Sequence, residues 1–298
     1  MLARLLQFTT LSTIACSLAW LGIVWGQSQS LAFAGFLVVL LFPAPVIGLQ
    51  FLALNGLNSR DPVPPASISQ LLNAWWGEVI QVFKVFYWRQ PYSWNAIPDA
   101  SSGPPAYAGH RGVVFIHGFI CNRGIWTPWL REVEKSQRAF AAVNLEPVFG
   151  RVDDYVPIIE QAITQIIATT GQPPLIICHS MGGLAIRAWL RSRLGNDARV
   201  HHIVTIGTPH HGTWLGRMAF TPNGMQMRLA SRWLSTLEAD EPPQRHRLFT
   251  CYFSNCDNIV FPASTATLAG ADNRLILGKA HVALAFDARV MRESLAML

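Results

Sequence analysis

Ser180 has the surroundings that read most directly as chemistry. In Leu175-Ile-Ile-Cys-His-Ser-Met-Gly-Gly183 the serine stands between an apolar run and a stretch of helical periodicity, with glycines just beyond it. A sharp strand-to-helix turn at this point would lift the Ser180 hydroxyl above a sheet edge and aim the first amides of the helix at developing negative charge. That suits nucleophilic attack on a carbonyl carbon. Small neighbours are needed because the two backbones come close, and Cys178 fills a slot where such turns usually carry glycine. A second apolar run, Val113-Val-Phe-Ile116, ends in His117-Gly118-Phe119. The loop after that strand can bring another amide opposite the serine, so the backbone N–H groups of Phe119 and Met181 are the candidate oxyanion-hole donors. His117 itself is expected to be structural, since a His-Gly after a strand is otherwise a plain turn.

Five segments in order then carry a family likeness: His117-Gly118-Phe119, the Cys-His-Ser-Met-Gly-Gly turn, Gly207-Thr-Pro-His-His-Gly212, Asp257-Asn-Ile-Val260 and Gly278-Lys-Ala-His281. From His110 onward the chain resembles the α/β-hydrolase lipases and esterases, bacterial triacylglycerol lipases in particular. The departures are Cys178 and a scarcity of the acidic residues that hold structural calcium in some of those lipases, so no metal site is expected. The resemblance implies an α/β-hydrolase fold, a mostly parallel sheet with helices on both faces and a small cap. It also implies that a catalytic acid and then a histidine follow the serine. Asp257, just past the apolar run Leu248–Phe253, is the expected acid and Asp272 the alternative. His281 is the expected base, because His210, His211 and His246 all precede Asp257.

These roles imply acyl transfer in two steps with no cofactor. His281 takes the Ser180 proton during attack on an ester, Asp257 orients and stabilises the imidazolium, and water then releases the acid from an acyl-enzyme. The same residues would serve an acyltransferase, a thioesterase or an amidase. A catalytically inactive binding module of the same fold is the non-enzymatic alternative. His179, His210 and His211 are expected to pack and hydrogen-bond near the site.

The elements that must position these residues alternate between short apolar runs and amphipathic stretches, as in a parallel sheet wound with helices. Strands are expected at Val113–Ile116, Phe140–Asn144, Leu175–Cys178, His202–Ile206, Leu248–Phe253 and Arg274–Leu277. Helices are expected over 156–169, from Met181 to Leu194, and from Asp287 onward. Residues 213–246 lack strand alternation and are rich in Met, Trp and Leu, which fits either a cap or lid or an ordinary helical insertion.

The 298 residues are 51% hydrophobic and only 13% charged, against about 25% charged in soluble domains. The bias is greatest at the N-terminus: Leu5–Trp25 and Leu31–Leu54 contain no charged residue, and each is about long enough to cross a hydrocarbon core. Residues 1–60 therefore read as a transmembrane hairpin turning at Gly26–Ser30, with Pro43 and Pro45 kinking its second arm. A signal peptide cut near Gly26 is the rival reading. Arg4 and Arg60 flank the hairpin, which puts both ends, and the catalytic domain, on the cytoplasmic side of a bacterial inner membrane. Residues 61–108 form a juxtamembrane stretch: a Pro-rich exit at Asp61–Pro65, an aromatic segment Ile68–Trp94 suited either to a membrane interface or to packing on the catalytic domain, and a loop at Ala100–Pro105. The catalytic domain then runs over 109–298. Five cysteines form no closed disulfide framework, although Cys251 and Cys256 would pair in an exported protein. A net charge of +6 without a basic stripe argues against nucleic acid and is compatible with anionic lipid headgroups as partners.

Overall fold

The N-terminal run is helical from its second residue: α1 spans Leu2–Trp25, with Arg4 in its first turn and no charge after it. A turn at Gly26 leads into α2 (Gln29–Leu40), whose N-cap Ser28 accepts the amide of Leu31, and the two helices pack side by side. The computed structural model describes residues 1–59, 61–100 and 107–298, so Arg60 and all but the first residue of the expected 100–105 loop lie outside the described residues. Beyond Leu40 the helix breaks. Pro43 has no amide to donate and its ring excludes a carbonyl of the preceding turn, so α3 (Pro43–Asn58) starts afresh, bent 57° from α2.

The expected second span is thus a bent pair, and its latter half docks on protein. Ile47, Phe51, Leu54 and Asn58 form one buried row of α3 at helical spacing. Its polar side chains find partners far along the chain. Asn58 donates to the carbonyl of Asn255 (3.3 Å) and accepts the amide of Ala263 (3.2 Å), and Gln50 accepts from Asn258 Nδ2 (2.7 Å). Among the described residues, α1 is the helix long and apolar enough to cross a membrane unaided; α2 and α3 reach that length only when counted as one bent span.

The aromatic segment is helical. Ser67 and Gln70 close a capping box at the start of α4 (Ile68–Val82), which continues through a π-helical stretch, Phe83–Arg89, into the short α5 (Gln90–Tyr92). It packs on the rest of the protein along one side: Ala74, Glu78 and Val79 are buried, whereas Ile68, Leu72, Trp76 and Ile80, four residues apart, form an exposed apolar row.

Six parallel strands follow, in the order β2-β1-β3-β4-β5-β6: β1 (Val113–Ile116), β2 (Phe140–Ala142), β3 (Leu175–His179), β4 (His202–Ile206), β5 (Phe249–Phe253) and β6 (Asp272–Leu275). All lie within two residues of their expected positions at either end. The strands alternate between two cores, Val114, Ile116, Ile176 and Cys178 facing one and Val113, Phe115, Leu175 and Ile177 the other. On the first face pack α7 (Val156–Thr170) and α8 (Met181–Ser192). On the second pack α6 (Thr127–Lys135) and the C-terminal helices α11 (His281–Leu284) and α12 (Ala288–Leu295), the last capped by the Asp287 carboxylate. Residues 213–246 form a 3-10 turn at Trp214–Met218 and two short helices, α9 (Pro222–Gln226) and α10 (Arg232–Ala239). All five cysteines are free thiols, four of them buried, so Cys251 and Cys256 do not pair.

Candidate active site

The strand order reverses direction between β1 and β3, and in open α/β sheets the crevice at that point is where ligands gather. Ser180 lies there, between the end of β3 and the start of α8, with φ 55° and ψ −130°. A serine at positive φ is strained by about 1–3 kcal/mol and must be held from outside. Its amide donates to the carbonyl of Ile206 (2.9 Å), and its carbonyl accepts from the Gly183 amide (3.1 Å) and the Thr208 hydroxyl (2.8 Å). The glycines after it leave room for neighbouring backbone: a Cβ on Gly182 would strike the carbonyl of Ile116, and one on Gly118 would lie 2.6 Å from Ser180 Cβ. Gly118 therefore sits directly across from the serine, and Phe119 lines the same two cavities as Ser180. Ile120, one residue on, is itself held at φ 51°.

The other two expected residues meet each other. His281 Nδ1 is 2.9 Å from both carboxylate oxygens of Asp257, and both side chains are buried. The Asp257 carboxylate is fixed in turn by the amides of Ile259 (3.0 Å) and Val260 (2.8 Å). Burial works against charge on the imidazole, but the Asp257 charge and hydrogen bond, helped by the charge of Glu78, outweigh it and raise His281 above the ordinary histidine value. Asp272, the alternative acid, begins the edge strand and pairs with Arg274 at 2.7 Å.

Three further histidines, His179, His117 and His210, act as struts. His179 packs against His281 with ring centroids 4.6 Å apart and the rings tilted by 46°, and it donates from Nε2 to the His281 carbonyl (3.2 Å). Burial, reinforced by the neighbouring His281, holds it neutral. His117 accepts the Leu145 amide on Nε2 and so donates from Nδ1 to the Gly118 carbonyl; burial lowers its pKa to about 4. His210 belongs to a buried network in which Arg187 grips the Glu241 carboxylate (2.6 and 3.0 Å) and the His210 carbonyl (3.0 Å). That network ties α8 to the Gly207–Gly212 segment. Sequence reading missed the Arg187–Glu241 pair, because only the fold brings residues 54 positions apart together.

It also missed Glu78, whose side chain reaches the site from α4. The Glu78 carboxylate accepts the amides of Val282 (2.9 and 3.1 Å) and Ala283 (3.0 Å), and burial pushes its pKa up to about 7. A signal for it did exist, as Glu78 is the one acidic residue between Ile68 and Trp94.

Two apolar cavities open on Ser180 and share Phe119 and Ile259 as walls. One, about 320 Å³, runs past His281 to Val46 and Ile47 of α3 and to Glu78 and Val82 of α4. The other, about 220 Å³, lies under Leu215, Ala219 and Met227 of the 213–246 segment. Among the described residues no three His, Cys, Asp or Glu side chains converge as metal ligands would.

The profile of the Alpha/beta hydrolase family matches residues 113–293, and the chain belongs to that family. Among solved structures it is similar to the mature lipase BlEst2 of Bacillus licheniformis, with 16% identity over 61% of this chain and 88% of that one and a TM-score of 0.52. It is likewise similar to lipase B of Aspergillus fumigatus, with 17% identity over 64% of this chain and 54% of that one and a TM-score of 0.51. A comparison with curated protein sequences finds no match. The expected resemblance to α/β-hydrolase lipases and esterases is borne out. Helices α1 to α5 all precede the matched segment.

Proposed function

We propose that this chain is a carboxylic ester hydrolase of lipase or esterase type, acting through Ser180, His281 and Asp257 on esters with apolar acyl groups. The observation that carries this reading is the convergence of a strained serine, an Asp257-bound histidine and two apolar cavities at one sheet edge. Because Asp257 occupies Nδ1 of His281, Nε2 is left to take the Ser180 proton as Oγ attacks the ester carbonyl. The amides of Phe119 and Met181 receive the oxyanion. His281 then hands its proton to the departing alcohol, leaving the acyl group on Ser180. Water, deprotonated by His281, attacks that ester, and collapse of the second oxyanion frees the acid and restores the Ser180 hydroxyl.

Membrane lipid esters are the substrate class this architecture favours. Helix α1 is the anchor, with α2 folded against it. The exposed row Ile68, Leu72, Trp76 and Ile80 then rests in the headgroup region, as amphipathic interfacial helices do.

The test uses the detergent-solubilised full chain and p-nitrophenyl esters of graded chain length, with Ser180→Ala as control. Turnover that rises with acyl length and vanishes in Ser180→Ala, while expression and membrane association persist, supports the reading. Full activity in Ser180→Ala would overturn it.

A further inference from the structure

We propose that Glu78 is a positioning residue of the active site, a carboxylate supplied by α4 that caps the turn beginning at His281 and holds its imidazole toward Ser180. The inference rests on the reading of His281 as the base. The first-turn amides of any helix lack partners within it, and an acidic side chain is the natural acceptor there. In α11 the N-cap is Ala280, which has no acceptor to offer. Glu78, 204 residues away in sequence, accepts the amides of Val282 and Ala283 instead.

His281 is consequently held from four sides. Asp257 takes its ring, Asn258 Oδ1 accepts its amide (3.1 Å), His179 donates to its carbonyl, and Glu78 fixes the two residues that follow. Glu78 is the only one of the four from outside the segment that defines the family, and its anchor is a helix whose opposite face is apolar and exposed. The seating of α4 therefore sets the position of the base.

The carboxyl is 1% exposed and lines the same cavity as Ser180 and His281. Once ionised, above a pH of about 7, it acts on the imidazole through little water, in the same sense as Asp257. The other titratable groups around it are Asp257 after β5, His179 at the end of β3 and the Cys121 thiol after β1. From α3 comes only the uncharged Gln50. A capping carboxylate that also favours the imidazolium has a signature that a merely structural cap lacks.

The experiment compares full-length wild type with Glu78→Gln and Glu78→Ala, measuring kcat, KM, Tm and the pH profile of kcat/KM on one p-nitrophenyl ester. Glu78→Gln retains an acceptor oxygen but no charge. It should lower kcat about tenfold with KM within about threefold, and move the acid limb of kcat/KM to lower pH. Glu78→Ala should lose about 100-fold. An unchanged kcat and acid limb in Glu78→Gln would overturn the proposal, and so would a loss of activity that follows Tm while the acid limb stays in place. If instead the functional reading were at fault, the wild type would neither turn over ester nor be labelled at Ser180 by a fluorophosphonate.

Discussion

Gly207→Ala is the sharpest perturbation the structure offers, because one methyl group would enter the Asp257–His281 pair without touching either residue's identity. Gly207 follows β4 at φ 58°, its amide donating to the Tyr252 carbonyl (2.9 Å). A Cβ there would lie 2.9 Å from Asp257 Oδ2, closer than such atoms tolerate, and a tight 3.2 Å from His281 Nδ1. The backbone cost of an alanine in the left-handed region is about 1–2 kcal/mol. This corresponds to a Tm loss of roughly 2–8 °C in a domain of this size. The catalytic cost should be far larger. Asp257 Oδ1 is pinned by the amides of Ile259 and Val260, so the carboxylate has little freedom to yield and the imidazole must tilt. Misplacing a reacting group by about 1 Å costs around 10²-fold, and losing the orienting acid costs about 10⁴-fold in serine proteases, so kcat should fall between those limits. Steady-state hydrolysis of a p-nitrophenyl ester, with the rate of fluorophosphonate labelling alongside, measures it. A variant within threefold of wild-type kcat would mean that this pair is not the orienting couple of the reaction.

Three further outcomes follow from the same geometry. His281 must be neutral to accept the Ser180 proton and its pKa is raised, so kcat/KM should fall as pH drops through a value above 6.5, and an acid limb below 6 would contradict the assignment. For Glu78, a folded-state pKa near 7 against 4.5 unfolded means that the folded chain holds the extra proton between those values. The associated stability, roughly 3 kcal/mol, is fully present below pH 4.5 and lost as pH rises through 7. Glu78→Gln should remove that slope, so parallel curves of Tm against pH for the two proteins would refute it. Finally, Glu241→Ala leaves the buried Arg187 guanidinium without its carboxylate, and chemical denaturation should report a loss of about 3–5 kcal/mol; a change under 1 kcal/mol would show that water or another acceptor reaches Arg187.

Much of this protein was legible locally. Strands buried on both faces read as apolar runs, and helices carry their own period, so the first five strands and the helices around Ser180 fall where composition and spacing place them, whereas the edge strand β6, Asp-Asn-Arg-Leu, is polar and largely exposed. The serine turn was likewise legible in a few adjacent small residues, whereas Asp257 and His281, 24 positions apart, came from the order that the family resemblance implies, and the fold is what brings their side chains together. Uncharged length was a poorer guide beyond α1. Gln50 and Asn58 lie in or beside the second apolar run, and whether such side chains meet lipid or protein acceptors depends on what folds against them. Here Asn255, Asn258 and Ala263 do, and α3 docks. Glu78 and the Arg187–Glu241 pair make the same point at the site itself. A side chain's local sequence fixes its chemistry and its periodic face. Only tertiary structure decides which amide, guanidinium or imidazole 54 or 204 residues away will complete it, because that pairing arises when separate elements close over a common core.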